Sequence, residues 1–105
     1  MPTKSLRIVV ADAGPDQALK VERALNALGY YRIAPLYSQE ALSGLSDAPA
    51  HDFDLLLINR TIVGGPVMGE AQFRKDNTQF RHVLIYVSAH SLVSQLAELM
   101  KAVDP

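Results

Sequence analysis

Four short apolar runs divide the chain, and each is followed by residues at helical spacing. Leu6-Arg7-Ile8-Val9-Val10 opens the series and reads as a first buried strand. It leads into the loop Ala11-Asp12-Ala13-Gly14 and then Pro15, a residue favoured in the first turn of a helix. Asp16 beside it suits the positive end of the helix dipole. Ala18, Val21, Leu25 and Leu28 then recur on one helical face, with Lys20, Glu22 and Arg23 between them. Gly29 is placed to end that helix in the left-handed conformation. Tyr30 to Leu36 predicts a second strand, with Pro35 near its end. Ser38 is expected to cap a short helix carrying Ala41, Leu42 and Leu45, and Ser46 to Asp52 forms a connection.

Asp54-Leu55-Leu56-Leu57-Ile58-Asn59 is the most apolar run, continuous rather than alternating. That pattern predicts a strand covered on both faces, as in parallel sheets flanked by helices. Arg60 to Pro66 reads as a loop, and Gly64-Gly65-Pro66 as the start of a further helix. Val67, Met68, Ala71 and Phe73 give that helix no clean stripe, and Gly69 weakens it. His82 to Val87 predicts a fourth strand, and Ser88-Ala89-His90 its outgoing loop. Leu92, Leu96, Leu99 and Val103 mark a closing helix, for which Ser91 is the expected cap. Strand and helix thus alternate four times. The arrangement implied is an α/β fold of three layers: a doubly wound parallel sheet with helices on both faces and right-handed crossovers.

Composition narrows the function classes. The 105 residues suit one domain, with 49% hydrophobic and 20% charged residues, as in ordinary globular chains. A formal net charge of −1 and the lack of a basic recognition helix give no reason to expect nucleic acid. There is no cysteine, which excludes disulfides and thiolate metal sites. No run approaches the roughly 18 apolar residues of a membrane span, and no signal-peptide layout opens the chain, so the expected location is cytoplasmic. His51, His82 and His90 lack ligand spacing, so no metal site is expected from them.

In a sheet of this kind, ligands bind beyond the carboxyl ends of the strands. Three residues fall there: Asp12 after the first strand, Asn59 after the third and Ser88 after the fourth. Each has a plain structural role open to it. Asp12 can tie down its own loop, Asn59 can bond the backbone that follows it, and Ser88 can be satisfied locally. Gly64-Gly65 without a lysine reads as a turn more readily than as a phosphate cradle. Tyr30-Tyr31 reads as strand packing.

Three segments together resemble the receiver domain of bacterial two-component response regulators. Ile8-Val9-Val10-Ala11-Asp12-Ala13-Gly14-Pro15 is similar to the first strand and acidic loop. Leu55-Leu56-Leu57-Ile58-Asn59, followed by Arg60-Thr61-Ile62-Val63-Gly64, is similar to the phosphoacceptor strand and its loop. Val83-Leu84-Ile85-Tyr86-Val87-Ser88-Ala89-His90 is similar to the fourth strand with its hydroxyl residue. The resemblance implies a single receiver-like domain over residues 1–105, flavodoxin-like and shortened to about four βα units in the strand order 2-1-3-4, with a degenerate site. Of two acidic residues that hold magnesium in the family, Asp12 matches one and Ala13 stands at the other. The phosphorylated aspartate falls on Asn59, and the hydroxyl residue matches Ser88. The family's lysine after a fifth strand has no counterpart before Pro105.

Phosphoryl transfer to a carboxylate needs an anionic oxygen nucleophile and a divalent cation. An asparagine amide cannot form an acyl phosphate. Asp12, the Asn59 oxygen and a carbonyl near Thr61 offer magnesium one formal charge, so its binding is expected to be weak or absent. Thr61 and Gly64 are the possible loop contacts. The function expected is a non-enzymatic pseudo-receiver that signals by protein–protein interaction, with no cofactor, nucleic acid or membrane. Its partner, a second copy or another protein, is expected at the fourth strand Val83-Val87 and the last helix, at Leu92, Leu96, Leu99 and Val103. Two alternatives stay open. One is a phosphoacceptor receiver in which Asn59 replaces a native aspartate; the other is a small nucleotide- or metabolite-binding domain using Gly64-Gly65 and Ser88.

Overall fold

The computed structural model describes residues 6–45, 49, 52–63 and 70–104. Four parallel strands, β1 (Ile8–Ala11), β2 (Ile33–Leu36), β3 (Phe53–Asn59) and β4 (Phe80–Tyr86), form one sheet in the order β2-β1-β3-β4. Among the described residues the helices are α1 (Pro15–Ala27), α2 (Gln39–Ser43), α3 (Arg60–Val63), α4 (Glu70–Asp76) and α5 (Ala89–Val103). The expected α/β doubly wound topology, flavodoxin-like in its strand order, is the one observed.

Side chains alternate across the sheet and divide the core in two. Ile8, Val10, Leu55, Leu57 and Tyr86 face α1 and α5, meeting Ala18, Val21 and Leu25 on one helix and Leu92, Leu96 and Met100 on the other. Val9, Ala11, Leu56, Ile58 and Val83 face the opposite layer, with Leu42 of α2, Ile62 and Val63 of α3 and Phe73 of α4. Leu55 to Ile58 are all fully buried, which is why that run carries no polar residue.

The placement of α5 has a topological meaning. From β1 to β2 the chain moves one way across the sheet, with α1 on one face. From β2 onward it moves the other way, with α2, α3 and α4 on the opposite face, as right-handed crossovers require. A further crossover to a strand beside β4 would keep α5 with α2. Instead α5 returns to the face of α1, where its stripe completes that layer. It docks as a closing element on the sheet. Leu92 and Leu96, expected at a partner contact, are therefore core residues that the domain itself covers, while Leu99 and Val103 remain partly buried at its margin.

Several boundaries differ from the sequence expectation, each for a local reason. The first strand is Ile8–Ala11, displaced from Leu6–Val10. The second begins at Ile33, because Tyr30 still belongs to the end of α1: its N–H donates to the Leu25 carbonyl at 3.0 Å, just past Gly29 with its φ of 98°. The fourth strand starts two residues early at Phe80 and ends at Tyr86, leaving Val87 outside the sheet. Arg60 to Val63, read as loop, is a short helix. The cap of α5 is Ser88, whose Oγ accepts from the Ser91 N–H at 3.1 Å; Ser91 was the expected cap and is instead the residue capped. Ser38 caps α2 as expected, accepting from the Ala41 N–H. His51, Gly64-Gly65-Pro66, Val67, Met68 and Gly69, and with them the proposed phosphate cradle and helix start, lie outside the described residues. No described helix is long and apolar enough to cross a membrane.

Candidate functional site

β1 delivers Asp12 and β3 delivers Asn59 to the same end of the sheet, since these strands run parallel with Ala11 opposite Ile58. Both side chains are buried, Asp12 at 2% and Asn59 at 4% exposure. β4 pairs with β3 so that Tyr86 stands opposite Asn59. The three residues meet. The Tyr86 hydroxyl donates to Asp12 Oδ2 at 2.8 Å, and the Asn59 amide nitrogen donates to the same oxygen at 3.3 Å. The other carboxylate oxygen of Asp12 accepts from the Gly14 N–H at 2.8 Å. The carboxylate thus has an internal donor on each oxygen and two on one of them.

Asn59 is equally engaged. Its Oδ1 accepts from the Thr61 N–H at 2.9 Å and from the Thr61 hydroxyl at 2.8 Å. Its amide nitrogen also donates to the Val87 carbonyl at 3.3 Å. The side chain therefore holds three things in place: the Asp12 carboxylate, the first turn of α3 and the chain leaving β4. A glutamine-to-backbone contact closes the rim, where the Ala89 N–H at the start of α5 donates to Gln17 Oε1 at 3.4 Å.

Electrostatics favour this closed arrangement. Burial of the Tyr86 phenol pushes its pKa far above the ordinary 10.0, and the hydrogen bond to Asp12 and that residue's charge push the same way. The phenol stays protonated, so it remains a donor to Asp12. A buried carboxylate is tolerated when its oxygens are hydrogen-bonded, and here they are.

The structure brings Asp12, Asn59 and Thr61 together and leaves two expected residues out. Ala13 is exposed and supplies no ligand side chain, and the Ser88 hydroxyl is committed to the α5 cap. Gly64 lies outside the described residues. Among the described residues no group of three metal-ligating side chains is close enough to hold an ion. Sequence reasoning missed Tyr86, which it counted as one more apolar strand residue. The available signal was position: a tyrosine at the last place of a central-facing strand puts its hydroxyl at the crest, where a polar partner is needed.

A second pair has the same chemistry at the opposite end of the sheet. The Tyr30 hydroxyl donates to Asp104 Oδ2 at 2.8 Å, linking the segment that follows α1 to the residue after α5. Both are buried, and the Tyr30 phenol is pushed up to about 12, first by burial, then by the hydrogen bond and charge of Asp104. Tyr31, its neighbour, is 73% exposed and packs in no strand.

Fold and site together define a small α/β domain with a four-stranded parallel sheet and a hydrogen-bonded Asp–Asn–Tyr cluster at its carboxyl end. No protein-family model matches the chain, and neither a curated protein nor a solved structure is similar enough to count as a match.

Proposed function

We propose that the chain is a non-enzymatic receiver-like module that works by contact with other proteins in a two-component-type pathway and takes up no phosphoryl group. The observation that carries this reading is the state of Asn59. A neutral amide stands at the end of β3, held by Asp12, Thr61 and Val87, and it offers no nucleophile. The carboxylate that would hold magnesium is already satisfied by Gly14, Asn59 and Tyr86. Magnesium gives up its water reluctantly, so one such carboxylate is a poor competitor for it. What a receiver retains without this chemistry is its surface, and that is where the reading places its activity. A pathway of this kind operates in the cytoplasm.

Incubation with radiolabelled acetyl phosphate and magnesium tests the reading. Neither the native chain nor Asn59→Asp is expected to retain an acyl-phosphate label. Stable labelling of Asn59→Asp would overturn it in favour of a phosphoacceptor whose aspartate has been replaced.

A further inference from the structure

The two outer edges of the sheet differ. β2 is short, and its outward donors are spent: Pro35 has no N–H, and the Ile33 N–H donates to the Tyr31 carbonyl at 3.0 Å. β4 spans seven residues without a proline. The Asp54 and Leu55 N–H groups both donate to the Arg7 carbonyl, at 2.9 and 3.3 Å, so from Leu55 onward the odd-numbered residues of β3 turn toward β1 and Leu56 and Ile58 turn toward β4. The peptide groups of Leu84 and Tyr86 therefore turn toward β3, and those of Val83 and Ile85 turn away, where the Val83 carbonyl accepts from Arg74. Among the described residues no strand pairs with that outer side.

A groove of about 370 Å3 runs along the same edge, lined by Arg74, Arg81, His82, Leu84, Leu99 and Val103, among others. Its two walls differ in chemistry. On the α5 side, Leu84, Leu99 and Val103 give an apolar floor. On the α4 side stand the exposed Arg81 and Arg74, whose guanidinium donates to the Val83 carbonyl at 3.0 Å. Among the described residues no acidic one lines the groove, although the chain as a whole carries a net charge of −1.

We infer that this edge receives an extended acidic segment of a partner protein, added to β4 as a fifth strand. Side chains of an incoming strand alternate between the two walls. The matching segment therefore alternates apolar residues, set against Leu84, Leu99 and Val103, with acidic residues, set against Arg81. A second copy of this chain is the poorer occupant, because two such edges would bring their arginines into one interface. The inference rests on the protein-contact reading above and names the partner's chemistry.

The test uses a labelled peptide of alternating valine and glutamate, read by fluorescence anisotropy on the intact chain. The glutamate peptide is expected to bind, and its valine–lysine counterpart is not. Arg81→Glu, at an exposed position, is expected to weaken binding by about tenfold or more, with circular dichroism showing an unchanged fold. N-methylation of the peptide at alternate residues is expected to abolish binding without any change to the protein. Lack of binding by the glutamate peptide, equal binding of the lysine peptide, indifference to N-methylation, or a dimer joined through β4 would each overturn the inference. Acetyl phosphate labelling on the same preparation separates the two readings. Failed peptide binding without label removes only the acidic segment, whereas a stable label on Asn59→Asp removes the module reading itself.

Discussion

Tyr86 is the residue on which the crest depends most. Its hydroxyl is one of three donors to a buried carboxylate, and hydrogen bonds to charged groups are worth more than neutral ones. Tyr86→Phe keeps the ring in the core and removes that donor alone. It is expected to lower stability by about 1–3 kcal/mol in urea unfolding, with the slope of the transition unchanged. A tyrosine that merely packed would show almost no loss. That Asn59 offers no nucleophile was readable from the sequence, because the absence of a carboxylate is a property of the residue itself. Its actual work was not readable, because the partners that define it come from β1, β4 and the turn after β3. Tyr86 was missed for the same reason: alternation tells which side a strand residue faces, and says nothing of what its hydroxyl meets there.

At the scale of elements, strands buried on both faces were the most legible, since four successive apolar residues leave few other options. The stripes on α1 and α5 were legible for the same reason. Ends were less so. Ser88 and Ser91 are both good caps, and only the three-dimensional turn decides between them. Ser88 is the one whose Oγ accepts from a helix N–H, so Ser88→Ala is expected to cost about 0.5–2 kcal/mol. Ser91→Ala is expected to fall within about 0.5 kcal/mol of the native chain, and thermal unfolding of the two variants side by side checks the contrast. Four-residue α3 escaped detection because a single turn has no period to read. The face taken by α5 was likewise hidden: an amphipathic stripe announces that one side will be buried and leaves the layer unnamed.

For the whole molecule, the two Tyr–Asp pairs set the alkaline limit. Tyr30 has a folded pKa of about 12 against an ordinary 10.0, so the folded state keeps a proton that the unfolded chain releases first. The stabilisation is complete below pH 10 and is lost as pH rises through 12. Tyr30→Phe is expected to be the less stable protein near neutrality, with the gap to the native chain closing across that window. Denaturant unfolding over a pH series measures it; a constant gap would show that the phenol does not titrate with folding. The pairs also have a consequence in time. Asp12 and Tyr86 lie 74 positions apart, as do Tyr30 and Asp104. At about 5–20 residues per second, a ribosome needs roughly 4–15 s to supply the missing half of each pair. For that interval α1 and β1 wait with a carboxylate, a phenol and an apolar face unmatched. Synthesis past β4 is the condition for the first pair to close and synthesis past α5 for the second, and the nascent chain is most exposed to chaperones and proteases in its oldest part.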